Sequence, residues 1–185
     1  MSLFAAPNLQ TQILLLASLL CLVAAVWDLR TGQIPNWLTL GTLLLGPIAQ
    51  VALSHLAYPG VSLLLFLATS LLGIVFSGLV PFLLWKKNAL GGGDLKLLVA
   101  VGALLGPMLG LQVQLYSFLI ALIIAPAQLA YRGQLLGTLK NAGSLLLNPL
   151  RQKSRRIELP PAALSEFRFG PAIFLAAVAS VVTTR

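Results

Sequence analysis

The 185 residues are 58% hydrophobic and only 9% charged. An ordinary soluble domain carries roughly 25% charged residues and is excluded; so is a disordered chain, which could not leave this much apolar surface in water. Twelve Lys and Arg stand against four Asp and Glu, but the basic residues fall in short gaps between apolar runs, the pattern of cytoplasmic loops rather than of a nucleic-acid-binding face.

An all-α integral membrane protein is therefore expected, a single domain over residues 1–185. A helix needs about 20 apolar residues to cross the hydrocarbon core. In chain order the spans are expected at about 9–27, 37–54 and 61–85. The apolar run from Leu95 to Tyr131 is too long for one helix, and Gly106, Pro107, Gly110, Gln112 and Gln114 offer a turn that divides it into 95–109 and 113–131. A short span at 170–184, opening with Gly170-Pro171, completes a six-transmembrane-helix bundle. The initial residues lack the basic segment of a cleaved signal peptide, so the first span is expected to be retained. Cys21, the one cysteine, lies in that span, which excludes an internal disulfide and a cysteine-based zinc cluster.

With six spans, the gaps after the first, third and fifth lie on one side. Those gaps and their margins hold Arg30, Lys86, Lys87, Lys96, Arg132, Lys140, Arg151, Lys153, Arg155, Arg156 and Arg168; the opposite gaps, near His55 to Gly60 and Gly110 to Gln114, hold no Lys or Arg. The bias of basic residues toward the cytoplasm then places both termini outside it. Trp27, Trp37 and Trp85 border the cytoplasmic gaps, where indoles prefer the interface. The loop 132–169 is the one long polar stretch. Residues 135–147 have the mixture of an amphipathic surface helix, and the basic cluster that follows would favour anionic lipids; a plain solvated loop is the alternative.

Two of the four acids, Glu158 and Glu166, fall in that loop. Asp28 and Asp94 instead lie at the cytoplasmic edges of the first and fourth spans, where an ionised carboxylate is costly. Singly, Asp94 could cap the helix beginning at Leu95, and Asp28 could mark the membrane boundary. Together they suggest a site, because three glycines, Gly91-Gly92-Gly93, precede Asp94 and would let another backbone approach closely. Two carboxylates side by side resist double ionisation and share a proton. The ionised one can then activate water while the protonated one polarises a scissile carbonyl, the division of labour of aspartic proteases. His55 falls on the far side, which disfavours Ser–His chemistry. A metal would need more ligands, so neither metal nor cofactor is expected.

These residues resemble a known family. Asp28 followed by Ile34-Pro35-Asn36, then Gly91-Gly92-Gly93-Asp94-Leu95-Lys96, resemble the two signatures of type IV prepilin peptidases, membrane aspartic proteases with a G-x-G-D motif; Phe169-Gly170-Pro171-Ala172-Ile173 is similar to the start of their last span. The resemblance implies that Asp28 and Asp94 are catalytic, that the enzyme sits in the inner membrane, and that it removes a short basic leader from pilin precursors at the cytoplasmic face. Gly91 and Gly93 would let the loop approach substrate and turn Asp94 inward. Lys96 would hold Asp94 or an anionic lipid or peptide group, or merely snorkel to the interface. Pro35 and Asn36 would shape the start of the second span. Members with an extra N-terminal cysteine-rich domain also methylate the new pilin terminus; one cysteine and an immediate first span argue against that here. The compact layout is most similar to the tight-adherence (Flp) pilus peptidases of the CpaA/TadV type, with archaeal preflagellin peptidases as the alternative. Presenilin-type proteases share G-x-G-D, but their Tyr-Asp pair is Trp27-Asp28 here and no Pro-Ala-Leu occurs. The substrate expected is a precursor with a single transmembrane helix, not nucleic acid. The rival from another class is a small transporter or pilus-assembly scaffold subunit whose aspartates bind a cation or proton; acids at the span edges rather than at mid-span favour the peptidase.

Overall fold

The computed structural model describes residues 9–131 and 168–184. All its regular elements are helices: α1 (Leu9–Thr31), α2 (Asn36–Ala57), α3 (Leu63–Lys86), α4 (Gly92–Tyr131) and α5 (Gly170–Thr183). The first three and the Gly92–Ala127 part of α4 are long and apolar enough to cross a membrane, and α5 is a shorter apolar helix of 14 residues. The expectations for the loop 132–167, including its surface helix, lipid-binding cluster and the acids Glu158 and Glu166, lie outside the described residues.

Residues 9–120 and 168–184 form one compact unit, and residues 121–131 belong to a second. Within the first unit α5 runs along α1, and the first half of α4 is the most deeply buried segment, with Leu97, Leu98 and Ala100 to Leu105 all inside. The buried stripe of α5 (Ala172, Ile173, Ala176, Ala177, Ser180, Val181) repeats at helical spacing and faces a similarly small-residue stripe of α1 that includes Ala17, Cys21, Ala24 and Ala25. Lipid is as apolar as leucine, so small side chains that let backbones close up make the interior, while Leu44, Ile48, Leu56 and Leu64 point outward.

The long apolar run does break, but at one residue. Gly106 has φ 74° and ψ −177° inside α4, a backbone conformation that L side chains avoid, and a Cβ there would also meet Gln50 Nε2 at 3.1 Å. The chain then folds back. A Cβ on Gly110 would stand 3.1 Å from the Cα of Gly102, although straight helix between them would advance about 12 Å. The expected turn over Gly106 to Gln114 is therefore concentrated at Gly106, and Gly110, Gln112 and Gln114 are helical. Pro107 explains the tightness, since its fixed φ suits the first position of a new helix. The interior also holds polar bonds between helices: Ser70 Oγ donates to the Ala103 carbonyl at 2.6 Å, and Gln50 Nε2 to Thr69 Oγ1 at 3.1 Å.

Candidate active site

Five short segments meet at one end of this bundle: the last turn of α1, the 32–35 connection into α2, the loop after α3, the first turn of α4 and the start of α5. Asp28 and Asp94, predicted from opposite parts of the chain, line the same polar cleft of about 340 Å³, together with Gly32, Gln33, Ile34, Asn36 and Gly91 to Gly93. Asp94 lies close enough to Asp28 for their charges to interact. Asp28 is 5% exposed, held in the last turn of a buried helix face. Gly32 ends that helix, its N–H bonded to the Asp28 carbonyl at 2.8 Å and its φ at +71°, the left-handed cap for which glycine is favoured. The chain thereby turns at once into Gln33-Ile34-Pro35 under the cleft.

Asp94 sits in the first turn of α4, which starts at Gly92 rather than at Leu95; it is not the N-cap. Its carboxylate folds back onto the glycine loop and accepts the Gly91 N–H. A Cβ on Gly91 would be 2.7 Å from Asp94 Oδ2, and one on Gly93 would be 3.3 Å from Ile34 Cβ. The glycines thus serve contacts within the protein: Gly91 makes room for Asp94 itself, and Gly93 lets the loop rest on Ile34. Gly92 lies under Trp85, with its Cβ position 3.4 Å from Nε1. Trp27 and Trp37 pack edge to face nearby, centroids 6.0 Å apart.

Lys96 Nζ donates to Asn36 Oδ1 at 2.8 Å, a partner the sequence reading did not foresee. Pro35 precedes α2 in an extended conformation, and its carbonyl accepts from Leu38 and Thr39. One charge-assisted bond therefore ties the first signature to the second. A hydrogen bond of this kind contributes about 1 kcal/mol to stability, so Asn36→Ala and Lys96→Met are each expected to lower the unfolding free energy by roughly that amount. The double variant should be little less stable than either single one, because the two act through one bond; losses that simply add would dispose of the tie.

His55 is near the far end of α2, roughly 28 Å of helix from Asn36, and takes no part in the cleft. No group of three or more His, Cys, Asp or Glu able to hold a metal occurs among the described residues. One neighbour of the acids went unmarked as a site residue. Gly170 N–H donates to Asp28 Oδ2 at 3.1 Å, and Arg168 Nη1 donates to the Leu29 carbonyl. The Gly170-Pro171 pair announces a helix start, but nothing in the sequence tells which residue that start touches.

Several helices apolar and long enough to cross a membrane are those of a multi-pass membrane protein, and a polar cleft holding two acids lies at their ends. Residues 15–126 match the type IV leader peptidase family, and the chain belongs to that family. No curated protein and no solved structure gives a significant match. Membership carries leader-peptidase activity in general. Both aspartates lie inside the matched residues; α5 lies beyond them.

Proposed function

We propose that this chain is an aspartic endopeptidase of the inner membrane that removes the short basic leader from Flp-type prepilins at the cytoplasmic face, with Asp28 and Asp94 as its catalytic dyad. The observation that carries the reading is the pairing of these two carboxylates in one polar cleft. One carboxylate takes a proton from water as the water attacks the scissile carbonyl, and the protonated partner donates to the carbonyl oxygen. Collapse of the tetrahedral intermediate breaks the C–N bond, and the leaving amine takes a proton from the dyad.

The six-span layout draws support from the fold-back at Gly106. Its orientation draws support from Arg30, Lys86, Lys87, Lys96 and Arg168, which all lie at the aspartate end among the described residues. The basic loop beyond Arg132 would rest on anionic lipids on that side. Beside the cleft an apolar groove of about 430 Å³ runs between α2 and α3, walled by Thr39, Leu43, Val75, Leu79 and Phe82 and reaching Leu95 and Lys96 next to Asp94. It suits the transmembrane helix of a precursor whose leader crosses the dyad. Cleavage without methylation fits the one cysteine of these 185 residues, buried inside α1 rather than placed in a loop.

The test is co-expression with Flp-type, classical type IV and archaeal preflagellin precursors, reading the mass of each product's N-terminus. Leader removal from the Flp-type precursor alone, with an unmethylated new terminus, is the expected result. Preference for another class would overturn the substrate assignment, and a methylated terminus the single-activity assignment.

A further inference from the structure

We infer that Gly170 is a positioning residue for the reaction: the start of α5 holds the Asp28 carboxylate in its working orientation. The inference rests on the peptidase reading for its consequence, but its geometry stands by itself. Asp28 Oδ2 accepts the Gly170 N–H at 3.1 Å. The approach is closer than any other residue type permits, since a Cβ at 170 would fall 2.8 Å from Oδ2, 3.0 Å from Asp28 Cβ and 3.3 Å from Cγ. Real Cβ atoms do not come so near, and the carboxylate has little freedom to yield: Asp28 is 5% exposed and sits on a helix packed along α5.

Three further features fix the donor. Pro171, in the first turn of α5, locks its φ at a helical value. The neighbouring Phe169 packs against Phe118 with centroids 5.6 Å apart. Arg168 bonds to the Leu29 carbonyl, one residue beyond the acid, and is close enough for its charge to act on Asp28. The donor is a backbone N–H at a helix N-terminus, where the aligned peptide dipoles favour a negative partner. It cannot swing away as a side chain would. Asp28 also lines the polar cleft that holds Asp94. Asp28 is thus gripped from outside the two signatures that surround it, by a helix about 140 residues further along the chain.

The chain has two aspartates, Asp28 and Asp94, so full-length protein made with side-chain 13C-carboxyl aspartate gives two carboxyl resonances, assigned with Asp94→Asn. Gly170→Ala is expected to move the Asp28 resonance beyond its linewidth and to leave that of Asp94 in place. Leader removal should fall about a hundredfold in kcat, the usual effect of displacing a catalytic group by an ångström, with apparent KM within threefold of wild type. Arg168→Gln, at a more exposed position, should move the same resonance less and lower kcat about fivefold, and it guards against a Gly170→Ala protein that fails to fold. Ala176→Gly loosens the same helix without touching Asp28 and should keep kcat within threefold while lowering the unfolding temperature.

An unmoved Asp28 resonance in both Gly170→Ala and Arg168→Gln would overturn the inference. So would a moved resonance with unchanged kcat, or an equal loss of kcat in Ala176→Gly. Wild-type protein that cleaves no precursor would overturn the peptidase reading, while a moved Asp28 resonance would still support the contact.

Discussion

Asp28→Asn and Asp94→Asn are each expected to reduce leader removal by about three orders of magnitude or more. An asparagine has the shape of aspartate and keeps one oxygen, so the hydrogen bonds from Gly170 and Gly91 can survive and the bundle should stay folded. What is lost is the ability to take up and give back a proton, which is worth about a hundred- to ten-thousandfold per group. The dyad works as a unit, so the double variant should be no slower than the slower single one. Glu166→Gln, a change at an acid outside both signatures, should cleave at the wild-type rate. Initial rates of precursor cleavage by purified protein, with unfolding temperatures measured in parallel, provide the check. A well-folded Asp28→Asn or Asp94→Asn protein that cleaves at the wild-type rate would end the dyad assignment.

Gly73→Ala is expected to destabilise the protein by about 3 kcal/mol, at the upper end of what overpacking does. Gly73 on α3 lies against the backbone of α4: an added Cβ would fall onto the Gly102 carbonyl oxygen and 2.9 Å from the carbonyl carbon of Gly106. The mirror-image contact is as tight, since a Cβ on Gly102 would stand 2.5 Å from both the Gly73 carbonyl oxygen and Ser77 Cβ. Gly110 completes the junction 2.6 Å, measured from its Cβ position, from Ser77 Oγ. Three helical segments thus meet at small residues spaced four apart, the arrangement that drives association when lipid removes the hydrophobic incentive. The atoms in the way are backbone, so relief requires the helices to separate and forfeits the Ser70 bond to the Ala103 carbonyl. Domain stabilities are typically only 5–15 kcal/mol, so the loss should appear as a large fall in unfolding temperature in detergent. Gly41→Ala is the control: nothing lies within 4 Å of its Cβ position, and alanine there should stabilise α2 by up to about 1 kcal/mol. Equal behaviour of the two variants would refute the backbone contact.

Much of this was legible before any coordinates. Span length and apolarity gave the helices, because in lipid a chain satisfies its backbone only within helices or closed barrels. The two acids stood out since an ionisable group against an apolar span needs a reason, and the spans placed both at the same end. The glycine triplet marked a close approach. Within the protein, Gly91 accommodates the Asp94 carboxylate and Gly93 the side chain of Ile34, neighbours that the triplet alone does not name. Lys96 illustrates the same limit. A lysine beside an aspartate suggests pairing with it, and only the fold brings the Asn36 carboxamide within 2.8 Å.

By itself, then, the sequence determined the helical class and the membership of residues 15–126 in a leader peptidase family, and it singled out Asp28 and Asp94 as the candidate pair, all of which depend on local composition and short spacings. Only the tertiary structure decided that the long apolar run turns at Gly106, that Asn36 and Lys96 join the two signatures, and that the start of α5 lies on Asp28. The last two are contacts between residues far apart in the chain, and the first depends on the helices packed against the turn. They depend on which small-residue stripe of one helix meets which stripe of another, and in a chain rich in Leu, Ala and Gly many such pairings look alike until the backbones are brought together.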